Sequence, residues 1–416
     1  MTRGGFRLGL SACLSAAVLA AFAGPAAAAC DPDGTQTSGA IYRICMPDPG
    51  RWNGRLVIWA HGYVAFNEPV AIPEDQLRLP DGTSLPDLVT SLGYAFATTS
   101  YSVNGLAVRQ GLADVVDLVS IFNWSKGRAS RVYLVGASEG GLITTLGVER
   151  HPNVFSGGLA ACGPIGSFPL QVNYLGDFRV VFDYFYPGLL PGHPTRIPPD
   201  LIDHFDVLYA TVIRPVIFAP ANLSKTLQLI RVAQLPTDAS NFWGTAEMSI
   251  RDALWYNVFA TNDAREKLGG QPFDNTRRLY LGSRNDFLLN LFVRRVRAEP
   301  AAIAEMVNNY DTRGRLSRPL VTLHTLRDQQ VPAWHETLYI AKAIASGSLG
   351  RLIPIPVDRY GHCNFTPAEV LVAFGALVLK TEGLGLSGVG AALKDPRLQA
   401  DYDRLGRRYG LPPRAN

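Results

Sequence analysis

The sequence predicts an α/β fold, with a mostly parallel central sheet, helices on both faces and a mainly helical insertion. Three observations predict it. Short apolar runs alternate with stretches whose apolar residues recur at helical spacing. Parallel strands need such crossovers, because each return passes over a face of the sheet. The apolar run Arg131–Val135 leads through Gly136-Ala137-Ser138-Glu139-Gly140-Gly141 into a helical stretch, a serine turn between strand and helix. Strand-like sequence fades after about Ser167 and resumes only at Pro319.

Taken in order, Ala40–Ile44 reads as a strand after a turn, and Arg55–Ala60 as a buried strand ending at His61-Gly62-Tyr63. Gly93–Thr99 is the next strand. Leu112, Val115, Val116, Val119, Ile121 and Phe122 mark a helix within Leu112–Trp124. The strand Arg131–Val135, the helical stretch Gly141–Arg150 stopped before Pro152, and the short strand Gly158–Cys162 follow. Between Ser167 and Arg313 aromatics are frequent, with Phe178, Phe182, Tyr184 and Phe185 close together, and Leu201–Ala210 and Leu223–Ala233 read as helices. This stretch is expected to form a cap over the sheet, its aromatics chiefly a core. Strands at Pro319–His324 and Leu352–Val357 and a helix at Pro367–Leu379 complete the sheet-bearing part. The expected division is therefore a targeting segment at 1–29, the core at 30–166 and 314–380, the helical insertion at 167–313 and a tail at 381–416.

The 416 residues are 47% hydrophobic and 18% charged, enough apolar sequence for one large core with an insertion. Arg3 and Arg7 precede an apolar run, Leu8–Ala23, and then Pro25 and four alanines, which is the pattern of a secretory signal peptide cleaved near Ala29. The formal charge of +4 falls to +2 without those two arginines, so nothing calls for nucleic acid or an acidic membrane surface as partner. No transmembrane segment is expected in the mature chain, and its location is expected to be secreted or periplasmic. Cys30 directly after the cleavage position opens a second reading, a lipoprotein acylated there. Cys30, Cys45, Cys162 and Cys363 remain after cleavage, an even number in an exported chain. Cys30 and Cys45 flank the turn-rich Asp31-Pro32-Asp33-Gly34 and are expected to close a local loop, which leaves Cys162 with Cys363.

A serine hydroxyl is a weak nucleophile and needs a general base that is itself oriented by a carboxylate. Ser138 is the candidate nucleophile. His362, in the loop after the last strand, is the candidate base, and Asp328, just past the strand ending at His324, the candidate orienting acid; Asp358 and Asp286 are competitors. The oxyanion of a tetrahedral intermediate needs donors. These are expected to be the backbone N–H groups of Glu139 and Tyr63, with His61 structural in the same loop. The cysteine spacing suits no zinc site, no H-E-x-x-H is present, and no glycine-rich phosphate loop is found, so no metal and no cofactor is expected.

His61-Gly62, the Gly136–Gly141 turn, Asp328 followed by Val331-Pro332, and Gly361-His362 together resemble the α/β-hydrolase superfamily over roughly Gly54–Leu379. The sequence is similar to secreted bacterial hydrolases with a prolyl-oligopeptidase-like catalytic core. The cysteine after the histidine resembles tannase and feruloyl-esterase relatives, in which a disulfide joins the residue before the serine to the residue after the histidine. Here Ala137 precedes the serine, so the resemblance makes Cys162 the candidate partner of Cys363. The resemblance implies hydrolysis through an acyl-enzyme on a small-molecule ester or a peptide. Carboxylic esters are the first expectation. A serine peptidase is the alternative, with Glu139 beside the nucleophile as its support, and a non-catalytic binding protein on the same fold is the third reading.

Overall fold

The computed structural model describes residues 28–382. The expected targeting segment as far as residue 27 and the expected tail from 383 lie outside the described residues. The strands are β1 (Ala29–Cys30), β2 (Gly34–Thr35), β3 (Ile41–Met46), β4 (Arg55–Ala60), β5 (Ala95–Thr99), β6 (Arg131–Ala137), β7 (Gly157–Ala161), β8 (Leu320–Arg327) and β9 (Leu352–Tyr360). The α-helices are α1 (Leu85–Ser91), α2 (Val108–Lys126), α3 (Glu139–Arg150), α4 (Phe168–Phe185), α5 (Pro199–Leu208), α6 (Arg214–Ile217), α7 (Leu223–Val232), α8 (Phe242–Lys267), α9 (Asp286–Phe292), α10 (Pro300–Glu305), α11 (Trp334–Ala345) and α12 (Pro367–Glu382).

The strands form one sheet in the order β1-β3-β5-β4-β6-β7-β8-β9, with β2 against β3. From β5 to β9 every neighbouring pair is parallel, while β3 is antiparallel to β5. Along β4 the side chains alternate between two buried faces. Leu56 and Ile58 join Leu134 of β6 and Val115 and Leu118 of α2 on one face. Val57 joins Val135, Leu159, Leu323 and Phe374 of α12 on the other. Alternation at period two with apolar residues on both sides is what a strand covered by helices on both faces requires. The chain leaves β4 toward β5 on one side and returns to β6 on the other. The order thus reverses at β4, and in open parallel sheets such a reversal opens a crevice at the carboxyl ends of the strands. The strand order and the serine turn between β6 and α3 are those of an α/β-hydrolase fold.

Helices α4 to α10 lie between β7 and β8, where the sequence places its insertion. They build a core of their own from Phe178 and Phe182 of α4, Phe205 of α5, Leu229 of α7 and Leu254 and Val258 of α8. The aromatic cluster is therefore packing, as expected of that stretch. Among the described residues no single helix is long and apolar enough to cross a membrane.

Both expected disulfides are present. Cys30–Cys45 joins β1 to β3 at directly paired positions, with Cα atoms 3.8 Å apart. Attachment of a lipid through a thioether at Cys30 would need the same sulfur, so acylation and this bridge exclude one another. Cys162–Cys363 joins the segment after β7 to the loop after β9, with Cα atoms 5.4 Å apart.

Candidate active site

Ser138 occupies the turn between β6 and α3 with φ of 57° and ψ of −121°. A positive φ is unusual for a residue with a side chain, and here it lifts the hydroxyl clear of the sheet. The glycines around it are sterically required. A β-carbon on Gly136 would lie 2.3 Å from the Gly140 carbonyl oxygen, and one on Gly140 only 2.0 Å from the Ala60 carbonyl oxygen. The turn closes because α3 packs directly on the backbone of β4.

The Ser138 hydroxyl donates to His362 Nε2 at 2.9 Å, and His362 Nδ1–H donates to Asp328 Oδ2 at 2.7 Å. The other carboxylate oxygen, Oδ1, accepts the backbone N–H groups of Gln330 and Val331, each at 2.9 Å. Asp328 is fully buried, and the His362 side chain is 12% exposed. The structure thus brings together Ser138, His362 and Asp328, separated by up to 224 positions. The two competing acids are elsewhere. Asp358 pairs with Arg327 at 2.6 Å, and Asp286 accepts Ser283 N–H at the start of α9.

The residues expected to supply oxyanion donors border the same crevice. Glu139 is the first residue of α3, so its N–H has no acceptor within the helix and adds to the positive end of the helix dipole. On the β4 side, Gly62 N–H donates to Gln76 Oε1 at 2.7 Å, and Gln76 Nε2 donates to the Tyr63 carbonyl at 3.3 Å. This clamp occupies the Gly62 N–H and leaves that of Tyr63 as the next donor of the loop. Gly62 approaches so closely that a β-carbon on it would lie 3.2 Å from Ser138 Cβ. His61 points away from the reaction centre. It is buried, stacked on Tyr101 with ring centroids 3.9 Å apart, and its Nδ1–H donates to the Gly62 carbonyl at 2.7 Å. Burial lowers its pKa to about 4, so it is neutral near pH 7.

Two features were not foreseen from the sequence. The carboxyl of Glu139 does not reach the crevice. Oε1 accepts the Ala107 N–H at 2.7 Å, at the start of α2, and burial raises its pKa to about 8 although that bond works the other way. A second buried imidazole, His324, lies behind Asp328. Its Nε2 faces the Val331 carbonyl at 2.8 Å and its Nδ1 faces Glu336 Oε1 at 3.2 Å, while Asp328 Oδ2 is 3.7 Å away. Both ring nitrogens face acceptors. Burial opposes its charge, but the bond to Glu336 and the nearby carboxylates prevail and raise its pKa. The hydrogen-bonded series Ser138–His362–Asp328 is thus backed by His324 and Glu336. The signal for His324 was weak, one histidine within a strand.

The crevice is bordered by Tyr63, Tyr256 of α8 and Gln330, so the inserted helices contribute to its rim. Tyr256 O–H donates to Gln330 Oε1 at 3.0 Å, and Gln330 Nε2 to Asp252 at 2.8 Å, which ties α8 to the loop carrying Asp328.

The sequence matches no protein-family model and no curated protein. Among solved structures, the chain is similar to an acylaminoacyl peptidase of Pyrococcus horikoshii, at 11% identity and a TM-score of 0.43, over 87% of this chain and 43% of that one. It is similar to the esterase Pf2001 of Pyrococcus furiosus, at 11% identity and a TM-score of 0.39, over 91% and 90% of the two chains. It is also similar to feruloyl esterase B from Aspergillus oryzae, at 15% identity and a TM-score of 0.42, over 84% and 79%. The chain spans less than half the length of the acylaminoacyl peptidase.

Proposed function

We propose that this chain is an exported serine hydrolase that cleaves carboxylic esters through an acyl-enzyme. The observation that carries the reading is the unbroken series from Ser138 Oγ through His362 to the buried Asp328. In the proposed reaction the Ser138 oxygen bonds to the ester carbonyl carbon while His362 Nε2 takes the hydroxyl proton. The carbonyl oxygen becomes an oxyanion, held by the N–H groups of Glu139 and Tyr63. The C–O bond to the alcohol breaks, and the alcohol leaves with the proton from His362. Water then repeats the sequence on the acyl-enzyme, releasing the acid and restoring Ser138. Asp328 holds the imidazole with Nδ1 protonated and balances the imidazolium charge. This chemistry needs no cofactor. The inserted helices act as the cap through which substrate enters.

Esters are favoured over peptides because the Glu139 carboxyl, the acid closest in sequence to the nucleophile, is engaged with Ala107 and is not available to anchor a substrate amine. Export is supported by the two disulfides. The test is labelling by a fluorophosphonate, followed by a panel of acyl esters against aminoacyl amides. Wild type is expected to label and to hydrolyse the esters. Ser138→Ala is expected to lose both, with turnover down on the order of a million-fold and the circular dichroism spectrum unchanged. A Ser138→Ala protein that still labels or turns over would refute the assignment, and exclusive amide hydrolysis by wild type would replace it by a peptidase.

A further inference from the structure

Ser138 opens onto a cavity of about 510 Å³ that Tyr256 of α8 borders at its mouth and that continues between the sheet, α1 and α12. Its walls are one face of the sheet and two helices. Val57 and Trp59 of β4, Phe96 of β5 and Leu159 of β7 form the first wall. Leu88 and Val89 of α1, and Leu371 and Phe374 of α12, form the second. Interiors are packed to crystal-like density and hold few voids larger than a water molecule. A hollow of this size inside the layer between sheet and helices is therefore a built feature. Trp59, Ala137 and Ala161 lie on central strands between two helical layers, and yet each is partly exposed. All three line the hollow. Its charged lining residues are Asp75 and Arg78, both exposed at its rim. The depth is hydrocarbon, with the tyrosine Tyr94 among it.

Resting on the ester-hydrolase reading, we propose that this cavity is an acyl-chain pocket, and that the substrates are esters of uncharged, medium-length fatty acyl groups. At about 30 Å³ per small group, as for liquid water, the whole volume corresponds to roughly 17 groups; part of it is the open rim beside Tyr63, Tyr256 and Gln330, which leaves depth for an unbranched chain of about eight to twelve carbons. The pocket belongs to the acyl side for a chemical reason. The acyl group stays bound to Ser138 through both half-reactions, whereas the alcohol must leave before water attacks. A deep apolar pocket suits the part that stays. A charged side chain entering it would lose its hydration with no partner in the depth of the pocket, which selects against charged acyl groups.

The test is a p-nitrophenyl ester series from acetyl to hexadecanoyl on the wild-type protein. kcat/KM is expected to rise about two- to fourfold per added methylene, as burial of a methylene predicts, to a maximum between octanoyl and dodecanoyl. Leu88→Trp, which fills the pocket from α1, is expected to lower the decanoyl-to-butanoyl ratio at least about tenfold, roughly two buried methylenes' worth. A series of p-nitrophenyl ethyl alkylphosphonates, whose alkyl group occupies the acyl position, is expected to inactivate the wild type faster with length. That measurement decides the matter even where Leu88→Trp does not fold. A series of alkyl acetates varies the alcohol instead. A kcat/KM maximum at acetyl, or a rise with alcohol length and not with acyl length, overturns the pocket assignment while leaving the ester reading intact. Fluorophosphonate labelling without hydrolysis of any ester overturns the ester reading itself.

Discussion

Replacing both Cys162 and Cys363 by alanine should slow the reaction at temperatures where the fold is intact. The bridge links positions 201 residues apart, and closing a loop of that length in the unfolded chain corresponds to about 5 kcal/mol. Against this, Cys162 and Cys363 lie at φ of 46° and 48°. A non-glycine residue there costs on the order of 1–2 kcal/mol. Without the bridge both positions are free to relax toward negative φ, so the net loss of stability should be about 1–3 kcal/mol. That relaxation moves the residue next to His362. The loop keeps other ties, since Thr325 Oγ donates to the Gly361 carbonyl at 2.6 Å and Asn364 Nδ2 to the Tyr360 carbonyl at 2.9 Å. The imidazole should therefore be displaced rather than lost. A misplacement of around 1 Å costs on the order of a hundredfold, so kcat should fall about ten- to a hundredfold with KM little changed. The assay is ester hydrolysis at 25 °C beside a urea titration of the same samples, with a reduced wild-type sample in parallel. A double variant with wild-type kcat, or one whose activity loss merely tracks unfolding, would refute the idea that the bridge positions the base.

Three further outcomes follow from the buried groups around the site. Glu139 holds its proton in the fold up to about pH 8, whereas in the unfolded chain it releases it near the ordinary value of 4.5. Its contribution is therefore full at low pH and is lost as pH rises between those values, by up to about 1.4 kcal/mol per unit. Glu139→Gln keeps an acceptor for Ala107 and should become progressively more stable than wild type from pH 5 to 8 in urea titrations; a constant difference across that range would contradict it. His324→Leu leaves the Val331 carbonyl and the Glu336 carboxyl without their shared partner behind Asp328, so stability should fall by about 1–3 kcal/mol in urea titrations; a variant as stable as wild type would mean that neither contact contributes. Gln76→Ala releases the Gly62–Tyr63 loop and should lower kcat about ten- to a hundredfold, below the loss from deleting an oxyanion donor outright; a change confined to KM would place Gln76 outside transition-state stabilisation.

The parts legible in the sequence were those with strong local constraints. The strands β4, β6, β8 and β9 are apolar runs that stop at glycine, histidine or a polar loop, and each was located to within a few residues. The serine turn was legible because its glycines answer contacts that leave no room for a β-carbon. Helix α1 was not legible. It has seven residues with Pro86 in its first turn, and only Ser84 Oγ accepting the Asp87 N–H marks its start. Helix α8 runs for 26 residues with apolar side chains on several faces, because it touches the inserted core and the sheet side together, and no single stripe announces it. The direction of the Glu139 side chain was beyond reach for a similar reason. It is set by the start of α2, 32 positions earlier, which the chain brings beside α3 only in the folded state.

The position of the second disulfide shows what the sheet demands of such a site. Five loops at the carboxyl ends of strands meet there: Gly62 and Tyr63 after β4, Ser138 after β6, Cys162 after β7, Asp328 after β8 and His362 after β9. Of these, the loop after β9 reaches farthest, because the histidine must cross above β8 and β7 to meet a serine on β6. A tether from the sheet to that loop shortens the span it must hold unaided. In the disulfide pattern that the sequence resembles, the tether starts beside the serine. Here that position is Ala137, which lines the cavity beneath Ser138. The tether starts one strand over, at Cys162, whose N–H donates to the Leu323 carbonyl of β8 at 2.8 Å. Moving the sulfur from β6 to β7 still anchors the histidine loop to a rigid strand end, and it leaves a small residue where the cavity passes Ser138. An Ala137→Leu variant should therefore obstruct the pocket without touching the bridge, lowering kcat/KM for decanoyl esters far more than for acetyl esters. An equal loss on both would mean that Ala137 supports the serine turn and not the passage below it.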